Sequence, residues 1–151
     1  MQKKGQAAME FLMTYGWAIL AAVIAIGVLA YFGVFSPGKY VTGNAVVNPP
    51  FYVNAQNIKE SNNAVTLELR NNGGEDYNIT SVTVTSTTPV CGTVSPGTLI
   101  AAGAVATVEV TCTGALKAGD AFKGDITINY RKTGSSVDLT STGTISNKVV
   151  A

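Results

Sequence analysis

The uncharged, proline-free run FLMTYGWAILAAVIAIGVLAYFGVF occupies residues 11–35. About 25 apolar residues in a helix, rising about 1.5 Å each, are enough to cross a hydrocarbon layer of roughly 30 Å. MQKKG, residues 1–5, and QAAME, residues 6–10, precede the run. Beyond it the chain turns polar and strand-like. The expected fold class is α+β: a long N-terminal hydrophobic α-helix followed by an all-β, immunoglobulin-like sandwich head. The expected divisions are a leader at 1–5, a membrane or filament-core helix at 6–35, a linker at 36–45 and an extracellular head at 46–151.

Working outward from the run, the N-terminal side carries Lys3 and Lys4 and a single acid, Glu10. Basic residues before a spanning segment hold the N-terminus in the cytoplasm and send the C-terminus out. A secretory leader places its small-residue cut site after the apolar stretch. Here the small residue, Gly5, comes before it. Cleavage between Gly5 and Gln6 would remove the basic leader and leave the apolar segment attached. Glu10 has two readings. As a first-turn acid at the membrane surface, it gains less than about 1 kcal/mol from the helix dipole. After cleavage, it lies one helical turn from a new α-amino group on Gln6. It could pair with that amine in its own chain or in a neighbouring one, and the second choice would set the register between helices, because an unpaired charge in a low-dielectric bundle is strongly disfavoured.

On the C-terminal side, Ser36-Pro37-Gly38 is the expected end of the helix, since proline cannot continue it and glycine turns easily. Gly16, Gly27 and Gly33 lie within the run. The pairs Ala18/Ala22 and Ala21/Ala25 have the small-xxx-small spacing that lets helices approach closely, a spacing that also arises readily in any Ala-rich anchor.

After residue 45 the period changes to two. Val65, Leu67 and Leu69 alternate with Thr66, Glu68 and Arg70. Val82 and Val84 alternate with Thr83 and Thr85. Ala106, Val108, Val110 and Cys112 share one face, and Phe122, Ile126, Ile128 and Tyr130 share another. Asn71-Asn72-Gly73-Gly74 marks a turn. An earlier strand is expected around residues 51–53, with Pro49 and Pro50 keeping its start at a sheet edge. Val137 and Leu139, then Ile145 and Val149, suggest two last short strands. Six to eight short strands at this spacing make an antiparallel sandwich or barrel.

Composition narrows the chemistry. The 151-residue chain has net charge +1, 13% charged residues and no His. That balance does not mark a nucleic-acid binder. Without His the commonest general base and metal ligand is missing, and the usual triads are closed. Asp76, Asp120, Asp125 and Asp138 are dispersed and do not match a calcium-loop spacing. The expectation is no enzyme, no cofactor and no metal. Cys91 and Cys112, the two cysteines of an exported segment, read as one disulfide closing a loop of about 20 residues, worth roughly 3 kcal/mol; two buried thiols are the other reading. Asn78-Ile79-Thr80 is an Asn-X-Ser/Thr triplet and marks Asn78 as a glycosylation acceptor, with a chance match in a Thr-rich chain as the alternative.

The series Lys3-Lys4-Gly5-Gln6-Ala7-Ala8-Met9-Glu10, running straight into an apolar helix, resembles a type IV prepilin with the archaeal class III signal peptide. In that family a basic leader ends in Gly, a Gln often follows the cut, and a Glu stands at the fifth position after it; these are Gly5, Gln6 and Glu10 here. A Ser often found two residues after the Gln is replaced by Ala8. The resemblance covers the first 35 residues. It implies a prepilin peptidase, an assembly ATPase and a membrane platform protein as partners, and a homopolymer held through bundled helices. It also implies residence in the cell membrane before assembly and an extracellular adhesion pilus afterwards, with Gln6 and Glu10 setting register. The absence of proline in residues 6–35 predicts an unbroken helix. An archaellin shares the leader and helix and is the second reading; a membrane-anchored extracellular binding module that does not polymerise is the third.

Overall fold

The computed structural model describes residues 2–33 and 43–151. The chain divides into two compact units, residues 1–40 and 41–151.

The first unit is one helix, α1, Gln2–Tyr31, 30 residues without interruption. Leu, Ala, Ile and Met supply helix propensity, and no proline breaks the ladder. It is apolar all round rather than amphipathic, the pattern of a helix meant for an apolar surrounding on every side. Both ends differ from expectation. At the start, the helix takes in residues 2–5, so the predicted leader is helical and continuous with the segment after it. At the other end it stops at Tyr31, ahead of the expected Ser36-Pro37-Gly38, which lies outside the described residues. Gly33 adopts φ 73°, and its N–H reaches the Ala30 carbonyl at 3.0 Å while Phe32 N–H reaches Val28 at 3.0 Å. A left-handed glycine just past the last turn is a helix stop in its own right.

The second unit is a sandwich of two antiparallel sheets. Its strands are β1 (Asn44–Val47), β2 (Phe51–Lys59), β3 (Ala64–Asn71), β4 (Tyr77–Thr85), β5 (Val90–Cys91), β6 (Thr93–Val94), β7 (Thr98–Ile100), β8 (Val105–Thr113), β9 (Ala121–Lys132) and β10 (Leu139–Lys148). One sheet runs β1-β10-β9-β4-β6, with β7 also on β4; the other runs β2-β3-β8-β5. The expected sandwich head is therefore present. It starts at Asn44, so the last two residues of the expected 36–45 linker belong to β1.

The period-two sets all face inward. Val65, Leu67 and Leu69 on β3 are fully buried, as are Val82 and Val84 on β4 and Ile126 and Ile128 on β9. Each such aliphatic side chain removed from water contributes on the order of 2 kcal/mol against the entropy of ordering it. Phe51, Tyr77 and Tyr130 close one end of the core in edge-to-face pairs, with ring centroids 4.9–5.9 Å apart. β2 is an edge strand, as its flanking prolines predict.

The turn expected at residues 71–74 connects β3 to β4, strands of different sheets, so it crosses the sandwich. Two strand-level expectations change. The strand count rises to ten through β5, β6 and β7, which are two or three residues long and too short for a periodic signal. The two expected last strands are one, β10, and Val137 lies exposed before it. The inward positions of β10 include Ser141 and Gly143, which break the apolar alternation that a core-facing strand would otherwise display.

The chain closes on itself beyond β10. Val150 donates its N–H to Ile58 at 2.8 Å and accepts from Glu60 N–H at 2.8 Å, joining the tail of one sheet to the edge of the other. That contact covers part of the β2 edge that would otherwise be open to another strand.

Candidate functional site

The residues predicted to matter fall into two groups. Gly5, Gln6 and Glu10 lie on α1, and Asn78, Cys91 and Cys112 lie in the head.

On α1, Gln6 and Glu10 are four residues apart, so the helical period stacks them on one face. Both are exposed, as are Lys3 and Lys4. The first turn carries no acid, and the two lysines occupy the end where the helix dipole favours negative charge. Removing residues 1–5 would exchange that end for one with Glu10 near the first turn. Gly5 has open space around it, with no neighbouring atom within 4 Å of a notional Cβ. The apolar side chains that follow are also exposed: Phe11 58%, Trp17 71%, Val23 61% and Phe32 66%. Phe11 and Tyr15, again four apart, pack ring to ring at 4.7 Å.

In the head, Cys91 and Cys112 form a disulfide across 21 residues. They are direct register partners on β5 and β8, so the bond fastens a two-residue strand to the edge of its sheet. Asn78 is exposed on β4, in register with Leu99 of β7 and Arg131 of β9, and so faces outward from the six-stranded sheet. The hydroxyl of Thr80, two residues on, donates to the Asn129 carbonyl at 2.9 Å beside a bulge in the β4–β9 pairing. Among the described residues there is no group of three His, Cys, Asp or Glu side chains that could hold a metal ion.

Two arrangements go beyond the strand and turn pattern of the sequence. First, the outward face of the six-stranded sheet bears a row of hydroxyls. Thr93, Thr83, Thr127 and Thr142 follow one another across β6, β4, β9 and β10. Thr83 and Thr93 share a hydrogen bond of 2.8 Å, and Asn48 donates to Thr142 at 3.2 Å. The alternating threonines of residues 140–144 are the pattern that could have announced it. Two shallow grooves of about 520 and 480 Å³ adjoin this row and share Asp125 and Thr144.

Second, two asparagines serve as internal ties. Asn71 is fully buried; its Nδ2 donates to Ile100 O at 2.9 Å and Glu75 O at 2.6 Å, and its Oδ1 accepts from Gly73 N–H at 2.9 Å. Asn63, in the left-handed region at φ 50°, donates from Nδ2 to Cys112 O at 2.6 Å and accepts at Oδ1 from Leu116 N–H at 2.9 Å. A short side chain with both donor and acceptor suits these turns.

Two ion pairs lie at the surface of the head. Arg131 donates to Asp138, and that hydrogen bond holds the Asp138 carboxyl below its usual range. Lys132 pairs with Glu75. Burial, and then the neighbouring Tyr77, push the Tyr130 phenol up.

No protein-family model matches this chain, and no curated protein matches it significantly in sequence.

Proposed function

We propose that the chain is the structural subunit of an extracellular filament of the archaeal type IV pilus kind. Cleavage between Gly5 and Gln6 releases the leader, the apolar helix passes from lipid into a bundle of its own copies, and the β head forms the coat. The observation that carries this reading is α1 itself: 30 helical residues, apolar on all sides and exposed along their length, beginning with the Lys-Lys-Gly-Gln…Glu series. An all-round apolar helix needs an apolar partner on every side, which lipid provides before assembly and neighbouring helices provide after it. Moving between the two keeps the apolar surface out of water throughout.

The head supports the reading in a second way. It has its own core and a disulfide, and the outward face of its six-stranded sheet carries a row of threonine hydroxyls. On this reading the protein is not an enzyme and takes no cofactor. A prepilin peptidase, an assembly ATPase and a membrane platform are its partners, and Gln6 and Glu10 fix the register between subunits. Asn78 is open to glycosylation once the head is outside.

The test is to shear cells that make the protein and image the supernatant. Thin filaments containing this chain support the proposal. A chain that stays wholly with the membranes favours the non-polymerising anchored module.

A further inference from the structure

We infer that Asn72–Gly73 is a latent deamidation site in the head, and that the Asn71 side chain holds it shut by gripping the Gly73 N–H. The inference concerns the head alone and does not rest on the proposed function.

Asn72–Gly73 is the one Asn-Gly pair in the chain. In an open peptide such a pair reacts with itself. The Gly nitrogen, having lost its proton, attacks Cγ of the Asn side chain. The N–Cγ bond forms, the Cγ–NH2 bond breaks, and the amide group leaves as ammonia, taking up a proton in place of the one the Gly nitrogen gave. Water then opens the succinimide ring to aspartate or isoaspartate, so the balance is one water in and one ammonia out. Glycine favours the attack because it has no Cβ to crowd the nitrogen and its backbone turns freely.

Asn72 is exposed, so water reaches its side chain, and it is the nitrogen that the fold restrains. Gly73 N–H donates to Asn71 Oδ1 at 2.9 Å, and Asn72 N–H donates to the Pro50 carbonyl at 2.8 Å. A Cβ on Gly73 would stand 2.7 Å from both Pro50 Cβ and Tyr77 Cε2, so the peptide is walled in beside its hydrogen bonds. Ring closure requires the Asn72–Gly73 peptide plane to rotate until its nitrogen faces Cγ. That rotation breaks the bond to Asn71, in a space that Pro50 and Tyr77 already confine.

Asn71 is in no position to follow the movement. It is fully buried, and its Nδ2 is committed to the Ile100 and Glu75 carbonyls. Its own N–H donates to Ala104 O and its carbonyl accepts from Gly103 N–H, at 2.9 and 2.8 Å. The pair therefore reacts only during a local opening of this connector.

Each opening that reacts is irreversible. Isoaspartate lengthens the main chain by a methylene at the crossing between the sheets, and either product sets a new carboxylate close in sequence to Glu75 and Asp76. Both changes work against re-forming the Asn71 grip, so this hydrogen bond governs the chemical lifetime of the head.

The test holds the full chain in detergent at mildly alkaline pH, folded or unfolded in urea, and follows aspartate and isoaspartate at residue 72 by peptide mass spectrometry. The folded chain should react more slowly by at least about tenfold, the factor that an opening cost of about 1.4 kcal/mol brings. Equal rates would overturn the inference. Hydrogen exchange at the Gly73 amide gives a second measurement that needs no variant. The amide should be protected in the folded chain; exchange as fast as in the unfolded chain would show that Asn71 does not hold it and would also overturn the inference. Asn71→Ala should speed deamidation of the folded chain more than Gly143→Ala, a change on β10 away from this connector. Equal acceleration in the two would mean that overall stability, and not Asn71, guards the pair, and the assignment to Asn71 would fall.

Discussion

Gly143 of β10 lies directly opposite Val47 of β1, and a Cβ on Gly143 would stand 2.1 Å from the Val46 carbonyl oxygen and 2.7 Å from the Val47 Cα. Those are backbone atoms, so no rotamer change relieves the clash. The close approach holds β1, the first strand of the head, on the edge of the six-stranded sheet.

Gly143→Ala should therefore push β1 off its partner. Overpacking of this kind costs about 1–3 kcal/mol, and the rigid backbone here places it at the upper end. Denaturant unfolding of the full chain in detergent, followed through the β-sheet signal, should show a lower midpoint. An unchanged midpoint would mean that β1 is held from elsewhere.

Removing the disulfide by Cys91→Ala and Cys112→Ala should lower head stability by about 3 kcal/mol, the chain-entropy value for a loop of this length. In the unaltered protein, thiol labelling under denaturing conditions without reductant should find neither cysteine. Labelling of both would show that the bond does not form in the cell.

Asn71→Ala should be more damaging than a surface Asn change. It strips the partner from the buried carbonyl of Ile100 and from Gly73 N–H, and each buried group left unsatisfied costs about 1–3 kcal/mol. Asn62→Ala, on an exposed loop, is the comparison and should move the same unfolding midpoint little.

The pH dependence has a definite sign on each side. Tyr130 has its folded value raised, so its neutral form favours the folded state; that contribution is full below about pH 10 and is lost as pH climbs above it. Asp138 has its folded value lowered, so its contribution is present above about pH 4 and fades as pH falls through the folded value. Asp138 is exposed, so its effect should be small. Tyr130→Phe should flatten the alkaline limb of a stability-versus-pH curve and leave the acid limb alone. An unaltered alkaline limb would remove Tyr130 from the account.

Much of the head was legible in the chain, for a simple reason. β3, β4, β8 and β9 each bury one face and wet the other, and Val65, Val82, Val108 and Ile126 mark the buried side. β10 was not legible as one strand, because Ser141 and Gly143 occupy core-facing positions: Ser141 donates to the Asn48 carbonyl at 2.6 Å, and Gly143 makes room for β1. The helix end was misplaced for a related reason. Gly33 looked like an interior residue of an apolar run, and only its backbone angle reveals the stop. Asn71 read as a turn residue, whereas its value lies in burial, which turn chemistry does not announce. The α1 site is the reverse case. Gly5, Gln6 and Glu10 were visible as a motif in the sequence, and the structure adds their helical phase and their exposure.

Glu10→Ala should leave insertion of α1 into membranes intact and reduce the yield of filaments, because the carboxylate serves pairing between subunits. Normal filament yield from the variant would show that Glu10 does not set register.

The central claim is that this helix is processed and then polymerised. The most direct measurement is the intact mass of this chain taken from filaments sheared off cells that make it. The account predicts a chain that begins at Gln6, with residues 1–5 gone. A filament-associated chain that retains Met1 to Gly5, or a sheared fraction that lacks this chain altogether, would contradict it.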